Sequence, residues 1–116
     1  MTLPYRDLII WQKSFALASH IYKVTETFPI KEIYGITSQI RRAAVSVPSN
    51  IAEGSKRTTK KDFIHFLHVA LGSCAELETQ MLLVKEIGYI TPKQSTETLE
   101  NIEEVMKILG GFLKGM

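Results

Sequence analysis

The longest apolar pattern in the chain is a heptad repeat between residues 60 and 87. Apolar side chains recur there at alternating spacings of four and three residues, at Phe63, Leu67, Ala70, Cys74, Leu77, Met81 and Val84. This is the period of a helix that packs along one seam against other helices. A helix over all 28 residues would be about 42 Å long. The repeat predicts an all-α fold, and no strand pattern elsewhere competes with it.

The first helical segment, from Asp7 to about Thr27, carries two neighbouring apolar stripes. One stripe uses positions 8, 11, 15, 18 and 22, and the other uses positions 10, 17, 21, 24 and 28. Phe28-Pro29 ends the segment, because a residue before proline disfavours the α conformation. Two stripes make the apolar arc wider than one packing seam requires. We therefore expect this helix to contact both its own bundle and a neighbouring subunit.

The second segment begins between Glu32 and Gly35 and ends near Gly54. Its apolar residues keep helical spacing, but Pro48 stands in the middle of the pattern. Proline removes one backbone donor and crowds the carbonyl of the residue four positions earlier, Ala44. We expect a kink or a short break between Ala44 and Pro48.

Caps separate the third and fourth segments. Thr58 or Thr59 precedes the third segment as an N-cap, and Gly88 marks its end. Thr91 then starts a capping box with Gln94, with proline at the first helical position. Short connections between long amphipathic helices predict one domain over residues 1–116, an antiparallel up-down-up-down four-helix bundle.

A polar stripe accompanies the apolar seam on the second segment, and a matching one lies on the third. Their members are Gln39, Arg42, Ser46, Asn50 and Glu53, then Ser73, Glu76 and Gln80. We expect Arg42 to pair with Glu76, across the hairpin of these two helices or across a subunit boundary, which would set register more than stability. The alternative is that both stripes are simply solvated helix faces.

Basic residues concentrate between positions 41 and 61, although the whole chain has a net charge of only +2. They are Arg41, Arg42, Lys56, Arg57, Lys60 and Lys61, against the single acid Glu53. Such a cluster can bind a phosphate backbone. No aromatic residue is interleaved with these charges in the sequence, which argues against base stacking and for contact that ignores base identity. The alternative is a solubilising loop.

Catalytic and metal-binding patterns are weak. Asp62, His65 and His68 have a spacing that could ligate a metal, but a di-iron bundle needs Glu-x-x-His motifs, which do not occur. We interpret both histidines as surface or interface residues and predict no metal and no cofactor. Cys74, the only cysteine, lies on the apolar seam, where a thiol is inert. We predict that the protein is not an enzyme.

No apolar run approaches the length of a membrane span, and the N-terminal residues lack the hydrophobic segment of a signal peptide. A single cysteine suits a reducing compartment. We expect a cytoplasmic protein with no membrane partner.

Four stretches of the chain resemble one bacterial family. They are YRDLIIWQKS (5–14), YGITSQIRRAAVSVPSNIAEGSKR (34–57), KKDFIHFLHVALGSCAELETQ (60–80) and EIGYI (86–90). The chain is similar to four-helix-bundle proteins encoded in intervening sequences of 23S ribosomal RNA genes. The resemblance implies a bundle that assembles into a ring, a homopentamer, and it implies no catalytic residue. The family's polar signature falls on the two polar stripes named above.

A distant relative of this family is the accessory variability determinant of diversity-generating retroelements, a basic pentamer that binds nucleic acid and partners a reverse transcriptase. By that analogy the partners of this chain are copies of itself, RNA or DNA, and a reverse transcriptase. Our leading hypothesis is a non-enzymatic homo-oligomer that binds RNA or DNA backbones through the basic residues. The alternative is a protein-interaction scaffold with no nucleic-acid binding.

Overall fold

The computed structural model describes residues 4–116 and is all-helical over that range. It contains four α-helices, which are α1 (Ile9–Thr25), α2 (Ile36–Ser55), α3 (Lys60–Ile87) and α4 (Pro92–Lys114). Single 3-10 turns at Tyr5–Asp7 and Ile30–Glu32 precede α1 and α2. The bounds of α3 match the predicted segment at both ends. Helix α1 begins two residues later and ends two residues earlier than predicted.

The helices form an antiparallel bundle measuring 44 × 24 × 20 Å. Each helix packs against two neighbours, in the cyclic order α1, α2, α3, α4. The diagonal pairs, α1 with α3 and α2 with α4, have no Cα atoms within 8 Å of each other. The predicted four-helix bundle is therefore confirmed for the single chain.

The two ends of the bundle differ in what they contain. We call the end with the α2–α3 connection (56–59) the hairpin end. The start of α1 and the end of α4 also lie there, since Tyr5 contacts Lys56 and the rings of Phe63 and Phe112 are 5.9 Å apart. The opposite end, which we call the far end, holds the connections 26–35 and 88–91.

The predicted apolar stripes form one core. All seven heptad residues of α3 have no exposed surface. On α1 the stripe of Ile10, Leu17, Ile21 and Val24 is buried, whereas the other stripe is only partly covered. That second stripe lies beside α2 at the bundle surface. It stays partly exposed because the apolar arc of α1 is wider than two neighbouring helices can cover.

The helix ends are set by local hydrogen bonds. The Oγ1 atom of Thr59 accepts from the Asp62 amide at 3.1 Å, and Gly88 adopts a left-handed φ of 93° at the end of α3. The amide of Gln94 donates to Thr91 Oγ1 at 3.1 Å, and the Gln94 side chain accepts from the Thr91 amide at 3.0 Å. The predicted caps, including the capping box, are confirmed.

Helix α2 runs through Pro48 without interruption, so the predicted short break does not occur. Pro48 is buried. Pro48 leaves the Ala44 carbonyl without its helical donor. Two residues further on, the Asn50 side chain donates to the Ser46 carbonyl at 2.7 Å and to Ser46 Oγ at 2.9 Å. These bonds add polar support to the turn that contains the proline.

Helices α2 and α3 approach closely at the hairpin end because Gly54 has no side chain. A Cβ atom there would lie 2.6 Å from Phe66 Cβ and 3.0 Å from Phe63 Cδ1. Close packing of this kind fixes how the 56–59 connection emerges from the bundle. Gly54 thereby positions the basic residues that follow it.

Candidate nucleic-acid interface

The hairpin end gathers exposed basic side chains from three parts of the chain. Lys56 and Arg57 lie on the connection, and Lys60 and Lys61 lie in the first turn of α3. Two exposed residues from the chain ends join them at this end of the bundle, Arg6 and Lys114. These six cations share the end with three acids, Asp7, Glu53 and Asp62.

Two of these cations lie against aromatic rings. The Arg57 guanidinium is 4.7 Å from the centre of the Phe66 ring, and its Nη2 is 3.3 Å from Glu53 Oε1. The Lys56 ammonium is 5.7 Å from the centre of the Tyr5 ring. No aromatic residue is interleaved with these cations in the sequence, but the fold places two rings beside them. Tyr5 is far from Lys56 in the sequence, and Phe66 is two turns into α3, so only the fold brings them together.

Arg41 and Arg42 lie apart from the other basic residues. They sit near the start of α2, and Lys56 is fifteen positions after Arg41, about 22 Å along the axis. Arg41 is half-buried, its Nε donates to Thr25 Oγ1 at 2.8 Å, and its guanidinium lies 4.7 Å from the centre of the Tyr22 ring. The structure thus divides the predicted cluster into two groups. The helical rise alone could have shown this.

The polar stripes meet between α2 and α3. Ser46 Oγ and Ser73 Oγ are 2.9 Å apart, and Asn50 extends this network. Gln80 is buried and donates to Glu76 Oε2 at 3.4 Å, while its own Oε1 has no hydrogen-bond partner among the described residues. The stripes are therefore partly an inter-helix network and not simply two solvated faces.

The predicted Arg42–Glu76 pair is absent within the chain. Both side chains are exposed, and the ion pairs of residues 4–116 are Lys13–Glu104 and Arg57–Glu53. The Ser46–Ser73 contact places Arg42 and Glu76 at similar levels on adjacent helices. Gln39 and Glu53 are exposed at the two ends of the α2 stripe. A pair across a subunit boundary stays a prediction.

An apolar groove of about 290 Å³ runs between α1 and α2 on the bundle surface. Three aromatic residues line it as a continuous ladder. The rings of Tyr5 and Trp11 meet edge to face with centroids 5.3 Å apart, and those of Trp11 and Phe15 stack at 4.9 Å. Tyr5 also lines a second opening of about 410 Å³, together with Arg6, Asp7 and Lys56. The apolar groove is therefore continuous with the basic hairpin end.

The far end carries exposed apolar side chains instead. They are Ile30, Ile33, Tyr34, Leu83 and Ile87. The two connections at this end are tied together where the Tyr89 hydroxyl donates to Glu32 Oε2 at 2.7 Å. This hydrogen bond to a carboxylate, with smaller effects of burial and of the Glu32 charge, raises the pKa of Tyr89.

The side chains considered for metal binding or catalysis do not converge. Among residues 4–116, no three His, Cys, Asp or Glu side chains are grouped so that they could hold a metal ion. Asp62, His65 and His68 are all exposed. Burial, with a smaller effect of Glu78, raises the pKa of the Cys74 thiol to about 12, so the thiol stays protonated at neutral pH.

Within the part of the chain described, no helix is both long and apolar enough to cross a membrane.

Comparison with known proteins supports the fold and identifies the family. The fold is similar to the crystal structure of a protein of unknown function from the S23 ribosomal protein family of Bacteroides thetaiotaomicron. The TM-score is 0.85 and the identity 26%, over 91% of this chain and 96% of that one. No curated protein matches the chain significantly. The family model for 23S rRNA-intervening sequence protein matches residues 6–111, and the chain belongs to that family.

Proposed function

We propose that the protein is a non-enzymatic, self-associating bundle whose hairpin end binds the phosphate backbone of RNA or DNA. The observation that carries this proposal is the convergence of six exposed cations at one end of the bundle. Two helices begin there and two end there, so their dipoles largely cancel and the side chains decide the local potential. A local excess of positive charge attracts polyanions.

Not all of these cations are equally free to bind phosphate. Arg57 is paired with Glu53. Lys114 lies on the last turn of α4, where its charge interacts with the free carbonyl groups of that helix end. That leaves Arg6, Lys56, Lys60 and Lys61 as the principal phosphate contacts. Four contacts per subunit give a slope of log K against log salt of about −4 on duplex DNA. The six residues between 41 and 61 would have given about −5.

Filter binding to structured RNA at about 50 mM and about 200 mM salt tests the proposal. The double variant Lys60→Gln/Lys61→Gln removes two contacts and should make the slope shallower by about 2. The matched control, Lys23→Gln/Lys93→Gln, removes the same charge near the far end, outside the apolar surface there, and should bind like wild type. No binding at about 50 mM salt would refute the proposal and leave the protein-interaction scaffold. Binding of a reverse transcriptase stays a prediction from the resemblance.

Self-association is supported by the apolar far end. Ile30 is 88% exposed and Tyr34 is 97% exposed, on a surface that also contains Lys31 and Glu32. Exposed apolar groups of this kind mark interaction sites. A contact between copies of one chain needs complementary charges within the same surface. The far end has charges of both signs, whereas cations dominate the hairpin end.

Native mass spectrometry tests self-association, and the resemblance implies five subunits. The double variant Ile30→Ser/Tyr34→Ser should lower the subunit count, because it removes the most exposed apolar side chains. Ile9→Ser, an exposed apolar residue near the hairpin end, is the matched control and should leave assembly unchanged. A monomeric wild-type protein would contradict self-association.

A further inference from the structure

We propose that the groove between α1 and α2 stacks unpaired bases of a single-stranded nucleic acid. This inference rests on the proposed function, because the strand in the groove is the one whose backbone lies on the hairpin end. It adds a preference for single strands over duplex and assigns the contact to aromatic residues of α1.

The aromatic wall of the groove offers a surface for stacking. Trp11 and Phe15 are stacked at 4.9 Å with 29° between their planes, and Phe15 is 55% exposed. Phe15 is thus already stacked on Trp11, while more than half of its surface remains exposed. A base placed on Phe15 would extend an existing stack. Aromatic side chains bind bases in this way without regard to sequence, because every base has a π-face.

The opposite wall leaves space for a flat group. It is formed by α2 and lined by small or compact residues, among them Pro48, Ser49 and Ala52. The resulting volume of about 290 Å³ is near the lower limit of small-ligand pockets. A groove of this size, open along the surface, suits planar rings that enter edge-on better than it suits a bulky branched ligand.

The charges around the groove favour a polyanion over an apolar peptide. At one end Tyr5 joins the aromatic ladder to the opening that holds Arg6 and Lys56, where Asp7 is the acid. Beyond the other end, one turn of α2 past Val45, lie Arg41 and Arg42, about 22 Å from Lys56 along the helix. Cations at both ends of an aromatic groove match the combination of backbone contact and base stacking found in single-strand binding sites.

Trp11 provides a direct readout, because it is the only tryptophan and lies in the groove. The full-length protein is titrated with an oligothymidylate of about 12 nucleotides, with an abasic strand of equal length, and with a duplex. We expect thymidylate to quench Trp11 fluorescence and to bind more tightly than the abasic strand, which carries the same charge without bases.

The variant Phe15→Ala should weaken thymidylate binding roughly 5- to 150-fold, the range for loss of one stacked base. Binding of the abasic strand and of the duplex should be unchanged. Ile9→Ala is the control, since Ile9 is an exposed apolar residue on the same helix outside the groove. It should bind thymidylate like wild type.

Several outcomes would overturn the inference. They are unchanged Trp11 fluorescence at saturation, equal affinity for abasic and thymidylate strands, and wild-type affinity of Phe15→Ala for thymidylate. Each would leave backbone binding at the hairpin end intact. A changed subunit count in Phe15→Ala would assign the groove to a contact between copies, and displacement of thymidylate by an apolar helical peptide alone would assign it to a protein partner. No binding of any strand would refute the proposed function itself.

Discussion

The hairpin end and the far end close the same bundle in different ways. At the hairpin end, four residues connect α2 to α3. Because Gly54 has no side chain, the backbone of α2 packs directly against Phe66 of α3. At the far end, ten residues connect α1 to α2. The two connections there are joined by a hydrogen bond between Glu32 and Tyr89 and by the contact of the Tyr89 and Phe28 rings, whose centres are 5.7 Å apart.

This difference shows that residues at the ends of the bundle can vary without disturbing the core. The middle of the bundle is constrained by the apolar seams, which must interlock to fill one core. The ends carry the residues that the core does not specify, basic at one end and apolar at the other. Three substitutions test whether the ends differ in packing as described.

Replacing Gly54 by alanine should produce the largest loss of stability. The new methyl group would meet Phe66 Cβ at 2.6 Å, and overpacking of this kind costs about 1–3 kcal/mol. Gly72→Ala is the matched control, because nothing lies within 4 Å of its added Cβ. It should stabilise the protein by about 0.5–1 kcal/mol. Urea denaturation measures both. Equal effects of the two substitutions would show that the hairpin end is not closely packed.

Replacing Thr91 by alanine should cost about 1 kcal/mol, the usual value of an N-cap. Thr59→Ala at the hairpin end should cost less, because Thr59 makes one capping bond whereas Thr91 belongs to a reciprocal pair with Gln94. Serine at either position should preserve stability. Thermal denaturation of the four variants checks this order, and a larger loss for Thr59→Ala would reverse our interpretation of the two caps.

Replacing Tyr89 by phenylalanine should have the smallest effect, and the effect should depend on pH. The bond to Glu32 raises the pKa of Tyr89 in the folded protein, so its contribution is complete below the unfolded value of about 10. It is lost as pH rises through the higher folded value. The difference in Tm between wild type and Tyr89→Phe should therefore shrink in alkaline solution. A difference for Tyr89→Phe that stays constant with pH would contradict the bond.

Sequence patterns predicted the features that local chemistry determines. The bounds of α3, the cap at Thr59, the left-handed Gly88 and the capping box at Thr91 depend on residues within a few positions of one another. The burial of Cys74 followed from its place in the heptad repeat. Such signals need no knowledge of which helices become neighbours.

The features that the sequence did not predict depend on which helices are adjacent and in what register. The aromatic ladder was not predicted, since its wall comes from α1 and the residues before it, while its other side comes from α2. Tyr5 and Lys56, which contact each other, are separated in the sequence by both α1 and α2. The short break that was one of the two predicted effects of Pro48 is absent from α2, because the propensity of one residue was outweighed by packing along the whole helix.

The cyclic packing also bears on how the bundle opens. Helices α2 and α3 are joined by a short connection, so bringing them together costs little loop entropy. Helices α1 and α4 belong to opposite ends of the sequence, and their seam includes polar contacts, Lys13 with Glu104 and His20 with Thr98. Amide hydrogens of α1 and α4 should therefore exchange with solvent before those of the α2–α3 hairpin.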